Sequence, residues 1–306
     1  MGVIGELGKV ARRYPRSRTK SRAGRVIATA LARVGCSAVQ VAELRDGSRL
    51  LLDARGRTEA SPFWNGEYDS DDIAFFKASF TPTRSFIDIG ANVGLIAIPI
   101  ASHICRTLAA GRVVAVEPVP ANMARLRRSV ALEPCVEQHV IAVEAALGAQ
   151  SGTVSLVSER EGKTSNAAVS ILGTRGSAIR DVAQRTLDEV LEDLAIVDVD
   201  VIKMDVEGYE LEVLKGAAQC LAEQRPIIYG EFNNQLMPSI GVTFLDVVAL
   251  TRPLGYRYFA FVDRCLTREV TEPDATLGNA VLVPTERVDE WLSRLENARL
   301  AGVEQR

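Results

Sequence analysis

Along most of the chain, short apolar runs alternate with longer segments whose apolar positions recur every three or four residues. The runs at 85–89, 113–116, 140–148, 199–204 and 226–229 have the continuous apolar character of strands buried on both faces of a parallel sheet. Between them, 93–107, 121–132 and the segment marked by Leu211, Leu214, Ala218 and Leu221 carry helical spacing. A helix from about 242, strands at 256–262 and 279–283, and a last helix bearing Val288, Trp291, Leu292 and Leu295 complete a seven-stranded α/β sheet. Pro99 falls inside the first of these helices and is expected to kink it.

Upstream the period changes. Residues 38–44 and 49–54 read as strands around Arg45-Asp46-Gly47-Ser48, and an Asp-Gly pair between apolar runs signals a hairpin. Residues 61–68 form a turn-rich connector with Phe63, Trp64 and Tyr68, which either lies across a ligand cleft or seals the edge of the core. A helix is expected at 69–79. We therefore divide the chain into a basic arm plus hairpin, 1–60, and a main domain, 61–306. Between 148 and 186 regularity is lost. A strand at 153–157 is followed by 158–180, rich in Ser, Gly, Thr and Asn and too long for an ordinary connection. It reads as a hairpin plus a mobile flap near the site, with a plain surface insertion as the competing reading.

The first strand and its turn carry the chemistry. Asp88-Ile-Gly-Ala-Asn-Val-Gly94 places an acid near the strand end and glycines where a ligand must lie against the main chain. The spacing is Asp-x-Gly-x-x-x-Gly, not the Gly-x-Gly-x-x-Gly of dinucleotide enzymes, which points away from a nicotinamide cofactor and towards S-adenosylmethionine. Glu117 ends the next strand, where a carboxylate can accept hydrogen bonds from both ribose hydroxyls. Further on, Lys203-Met-Asp-Val-Glu-Gly208 and Gly230-Glu231 bring Asp205, Glu207 and Glu231 to the ends of adjacent strands, facing the ligand crevice. The bland alternative has these acids capping helices or pairing with Lys203 and Lys215.

Bulk properties narrow the picture. The chain has 306 residues, is 47% apolar and carries a formal net charge of -3, so no global field recruits nucleic acid or an acidic membrane. Residues 1 to 35 hold nine Lys and Arg residues against a lone Glu6, read as a solvated, partly disordered arm or leading helix or, alternatively, a patch for an anionic partner. The five cysteines (36, 105, 135, 220, 265) are scattered without a Cys-x-x-Cys and are expected to be reduced core residues. With no membrane-length apolar run and no signal-peptide core, a cytoplasmic protein without membrane contact is expected. Of the two histidines, His103 sits on an apolar helix and His139 in a loop; neither is a catalytic candidate.

Taken together, Asp88 to Gly94, Glu117-Pro-Val-Pro-Ala-Asn122, Thr186-Leu-Asp188 and Ile202-Lys-Met-Asp-Val-Glu-Gly-Tyr-Glu210 resemble the FkbM family of S-adenosylmethionine-dependent methyltransferases over roughly residues 61–233. The resemblance implies the class I methyltransferase Rossmann-like sheet, with seven strands, the last antiparallel and inserted beside the fifth. It also implies O-methylation of a hydroxyl on a sugar, polyketide or other natural product. Cofactor contacts are then expected from Asp88, Gly90, Asn92, Gly94, Glu117, Asn122 and Ala146. Where the family often has Asn, this chain has Ser129, which receives no role. Methyl transfer to oxygen needs alignment and deprotonation, so Asp205 is the first candidate base, Glu231 the second and Glu207 the third. These carboxylates could also hold a divalent cation, but no Asp-Asp or Asp-Asn pair adjoins them, and no metal is assigned. A small hydroxyl compound is the expected partner. The N-terminal extension offers a surface for self-association, and nucleic acid is disfavoured because no Asn/Asp-Pro-Pro-aromatic motif follows the fourth strand. Two other readings stand beside this one: a nicotinamide-dependent oxidoreductase, and a catalytically silent binding module of a biosynthetic assembly.

Overall fold

The computed structural model describes residues 2–158, 169–170, 177–232, 236–263, 266–275 and 277–304. Two helices, α1 (Val3–Arg12) and α2 (Arg18–Arg33), precede a hairpin of β1 (Val39–Glu43) and β2 (Arg49–Asp53). After α3 (Ala60–Asn65) and α4 (Ser70–Ser79) comes the first strand of the main sheet, β3 (Ser85–Ile89). There follow α5 (Ala97–Thr107), β4 (Arg112–Val116), α6 (Pro120–Val130), α7 (Pro134–His139) and β5 (Val140–Val143). Next, β6 (Ala146–Leu147), β7 (Gly152–Ser158), β8 (Val169–Ser170) and β9 (Ser177–Arg185) make a small second sheet. The chain returns through α8 (Leu187–Asp193), β10 (Val199–Met204), α9 (Glu210–Lys215) and β11 (Ile227–Glu231). It ends with α10 (Phe244–Thr251), β12 (Tyr256–Asp263), β13 (Leu266–Glu269), β14 (Asn279–Pro284) and α11 (Val288–Glu304).

The main sheet runs β13-β12-β14-β11-β10-β3-β4-β5. The strands from β5 to β11 are parallel, and β14 enters antiparallel between β11 and β12. This is the class I methyltransferase arrangement. The sheet has eight strands instead of seven because β12 turns back on itself and adds β13 at the edge. Crossover helices cover both faces, and two apolar clusters sandwich the sheet, one around Phe76, Phe86 and Trp291, the other around Ile87, Ile202 and Phe244.

Several expectations change here. α5 begins at Ala97, because residues 92–96 form the turn, so Pro99 sits in the first helical turn, where a missing N–H breaks no intrahelical bond. His139 closes α7 instead of lying in a loop, with Nδ1 2.8 Å from the Gly111 carbonyl oxygen. The third strand breaks after Val143: Ala146–Leu147 pairs with β9 in the second sheet, while Glu144 at the break holds Arg127 at 2.9 Å. The helix after the fourth strand is short, α9 giving way to a separate π-helical turn, Cys220–Gln224. The cysteines are not all reduced. Cys105 on α5 and Cys135 on α7 form a disulfide, their Cα atoms 6.1 Å apart, while Cys36 and Cys220 are free. Packing of α7 against α5 brings together two cysteines 30 positions apart, which spacing alone does not reveal. Cys265, Asn233 and the flap positions 159–168 and 171–176 lie outside the described residues.

The N-terminal segment is part of the same apolar core. Phe63 and Trp64 of α3 are buried against α1 and α2, and each such side chain contributes about 2–3 kcal/mol on burial. Trp64 Nε1 donates to the Ala54 carbonyl at 3.0 Å and Arg12 donates to that of Phe63 at 2.7 Å. Ser129, left without a role above, accepts the backbone N–H of Leu51 at 2.9 Å and so ties the hairpin to α6. Glu59 does the same through Arg125, at 2.6 Å. Among the described residues, no helix is long and apolar enough to cross a membrane.

Candidate active site

A cleft of about 440 Å³ opens at the carboxyl ends of the parallel strands. Of the ten residues singled out from sequence, nine line it: Asp88, Gly90, Asn92, Glu117, Asn122, Ala146, Asp205, Glu207 and Glu231. Gly94 does not. Its φ is +91°, and a Cβ there would press on Ile98 and Leu126, so this glycine serves the turn and helix packing, not the cleft wall.

The glycine-turn end is held rigidly by the chain itself. Asp88 is fully buried, and its Oδ2 accepts the N–H of Ala97 at 3.1 Å, capping α5 from the strand behind it. Its other oxygen lies 3.1 Å from the ammonium of Lys203, the residue opposite it in the β3–β10 register. Lys203 also donates to the Gly90 carbonyl at 3.2 Å. Burial works against its charge, but Asp88 and Asp205 outweigh it and hold the ammonium above the ordinary lysine range. Gly90 has φ +77°, and any Cβ there would collide with the backbone carbonyl of Asp205.

Glu117 clamps the turn. Its Oε2 accepts the Asn92 N–H at 2.9 Å, and its Oε1 accepts from Val119 N at 3.0 Å and Asn122 Nδ2 at 3.2 Å. Burial pushes its carboxyl above the usual range despite these three donors. A carboxylate offers about four acceptor positions, so roughly one remains for a ligand hydroxyl. Asn92, in the left-handed region at φ +51°, buries an Oδ1 that has no partner. A buried acceptor beside a cleft calls for a donor from whatever fills it.

The opposite end is acidic and looser. Asp205 stands about 42% exposed with its Oδ2 4.0 Å from Lys203. Glu210, fully buried, accepts the N–H groups of Val206 (3.3 Å) and Gly208 (3.2 Å), shaping the loop that presents Asp205 and Glu207. Burial pushes Glu231 up, and Asp205 adds to the effect. Sequence reasoning missed what faces these groups. Asp69 and Asp72, at the start of α4, line the same end together with Tyr68, Phe76, Tyr229 and Asn279. Tyr229 donates to Asp72 at 3.4 Å and receives from Asn279 at 3.4 Å. Burial, reinforced by Asp69, pushes the Asp72 carboxyl up to about 7. The aromatic connector thus divides: Phe63 and Trp64 seal the core, and Tyr68 borders the cleft. Among the described residues, Asp205, Glu207 and Glu231 do not bring three oxygens within 4.8 Å of one another, the spacing a shared metal ion would need.

Lys203, expected only as a pairing partner of the strand-end acids, lies 4.0 Å from Asp205 but pairs more closely with Asp88. That second meeting had a signal, a lone cation in an apolar strand next to the strand carrying Asp88. Asp72 had none, because its place depends on how α4 docks. Asp188, within the resembling motif, lies elsewhere and accepts the N–H groups of Gln219 and Cys220 at 2.8 and 2.9 Å.

Comparison with known proteins adds to this geometry. A family model described as "Methyltransferase FkbM domain" matches residues 88–258. The chain is 28% identical over 201 residues to methyltransferase sdnD of Sordaria araneosa, covering 57% of this chain and 75% of that protein. It is also 28% identical over 171 residues to hexuronic acid methyltransferase AglP of Haloferax volcanii, covering 56% of this chain and 60% of that one. Among solved structures, the methyltransferase FkbM of Methylobacillus flagellatus KT aligns with a TM-score of 0.43 at 19% identity, over 67% of this chain and 44% of its own. TYW2 of P. horikoshii, in complex with MeSAdo, aligns with a TM-score of 0.42 at 16% identity, over 86% and 81%.

Proposed function

The chain belongs to the FkbM methyltransferase family, and we propose that it methylates a hydroxyl of a small metabolite, a sugar, polyketide or other natural product, using S-adenosylmethionine. The observation that carries this reading is the two-ended cleft: a hydrogen-bonded glycine turn with one acceptor position open on Glu117, and carboxylates at the ends of β10 and β11 facing it.

The residues fit such a cofactor. Glu117 would take a ribose hydroxyl, the main chain at Gly90–Asn92 would lie along the ligand, and the unpartnered Oδ1 of Asn92 would accept from it. Asn122 and Ala146 would border the remainder. Asp88 acts through position, fixing Lys203 and the start of α5. When bound, S-adenosylmethionine supplies an electrophilic methyl group on a sulfonium.

What remains for the protein is to align the acceptor and take its proton. Asp205, partly exposed and facing the cleft, is assigned the general base, with Glu231 the next candidate and Glu207 the third. Tyr68, Phe76 and Tyr229 supply the walls against which a small acceptor packs. Incubating the protein with isotopically labelled S-adenosylmethionine and hydroxylated metabolites, followed by mass spectrometry, tests the reading. Label on an acceptor oxygen supports it; label on nitrogen or carbon removes the O-methylation assignment. Failure to bind S-adenosylhomocysteine removes the cofactor assignment.

A further inference from the structure

The two N-terminal helices leave much of their apolar surface uncovered. On α1, Ile4, Gly5 and Gly8 face the core, while Val3, Leu7 and Val10 stand 58%, 41% and 49% exposed. Spaced by four and three residues, they form one ridge, which Tyr14 (62% exposed) continues just past the helix end. On α2, Gly24 and Ala28 face inward, and a second ridge of Ala23, Val26, Ile27, Ala30 and Val34 is exposed, Val26 and Val34 by 71% and 76%.

Cations flank both ridges. Three of the nine basic residues in this segment serve the fold: Arg12 binds the Phe63 carbonyl, Lys20 the carbonyls of Ala11 and Tyr14, and Arg25 that of Arg55. The other six, Lys9, Arg13, Arg16, Arg18, Arg22 and Arg33, are exposed, and Glu6 is the lone acid among residues 1 to 35. The overall charge of -3 does not cancel this patch. Solvent ions screen charges beyond ~8–10 Å, so local density decides what the surface attracts.

We infer that α1 and α2 seat the protein peripherally on an anionic lipid surface, ridges at the headgroup boundary and cations on the headgroup phosphates. Helices with an aliphatic stripe flanked by Lys and Arg match that boundary chemically. A second copy of the chain does not, since it would set six cations against six. Nucleic acid would take the cations but leave both ridges exposed to water.

The test is co-sedimentation of the full chain with vesicles of phosphatidylcholine alone, or with roughly one third phosphatidylglycerol, at low and high salt. Partitioning onto the anionic vesicles is expected to be at least ~10-fold stronger than onto the neutral ones and to fall with salt. The double charge reversal Arg13→Glu with Arg22→Glu should weaken it by at least ~10-fold. The pair Val26→Ser with Ile27→Ser should weaken it about threefold or more while leaving the salt dependence in place. These positions are exposed, so thermal unfolding of the variants should match the parent and exclude misfolding as the cause. Equal binding to neutral vesicles, or none to anionic ones, overturns the inference. So does a dimer, seen by light scattering, that the same substitutions dissolve while vesicles go unbound.

Discussion

The two ends of the cleft are built on opposite principles. At the glycine turn most groups are fixed: Glu117 takes three N–H donors, Asp88 caps α5 and pairs with Lys203, and Gly90 lies against the backbone of Asp205. At the acidic end, contacts lengthen to 3.4 Å at Tyr229–Asp72 and 4.0 Å at Lys203–Asp205, and burial, with neighbouring acids adding to it, pushes the Asp72 and Glu231 carboxyls up. The first end is preorganised, so a ligand there meets little reorganisation. The second keeps unspent basicity, which a proton-accepting site needs.

The largest effect should come from breaking the rigid end. Gly90→Val drives a side chain into the Asp205 carbonyl and removes the left-handed turn. Calorimetric titration with S-adenosylhomocysteine should show no binding, accompanied by a lower unfolding temperature; retained affinity would mean the turn tolerates displacement. At the other end, Asp205→Asn keeps shape and removes basicity, so kcat should fall by roughly 10²-fold or more with cofactor affinity little changed. Should affinity collapse while turnover survives at saturating cofactor, the contrast between the ends dissolves and Glu231 becomes the base.

Glu117→Ala sharpens the contrast. It removes a ligand contact and also releases Asn92, Val119 and Asn122, so cofactor affinity should weaken by about 2 kcal/mol. Unchanged affinity in a folded variant would show that the clamp serves the loop alone. The smallest effect concerns pH. Asp72 sits at about 7 in the folded protein, whereas an unfolded Asp titrates near ~3.9. Between these values the folded state binds the proton and the unfolded state does not, so this residue lowers stability as pH rises from about 4 to about 7. Solvent screening at this partly open position limits the size. Asp72→Asn should therefore raise the unfolding temperature by about a few degrees at pH 8 and leave it unchanged at pH 4. A gain at pH 4 that vanishes at pH 8 would refute the raised carboxyl.

The strand-and-helix alternation, the glycine turn and the acids at the strand ends are legible in the chain alone, because these follow from local rules. A strand buried on both faces must be continuously apolar, and a left-handed turn against backbone needs glycine. Which of these residues meet is a matter of how the folded elements pack. Gly94 carries the motif's spacing yet packs on Ile98 and Leu126, since a positive φ is needed for a turn whether or not a ligand is near. Asp72 and Tyr229 join the cleft because α4 docks beside β11, a packing outcome with no spacing rule behind it. The Cys105–Cys135 bond and the tie from Ser129 to Leu51 likewise join distant positions through helix packing. Local patterns record what each segment can bury. Which buried or polar surfaces then face each other is set by the packing of whole elements, and a single chain does not spell that out.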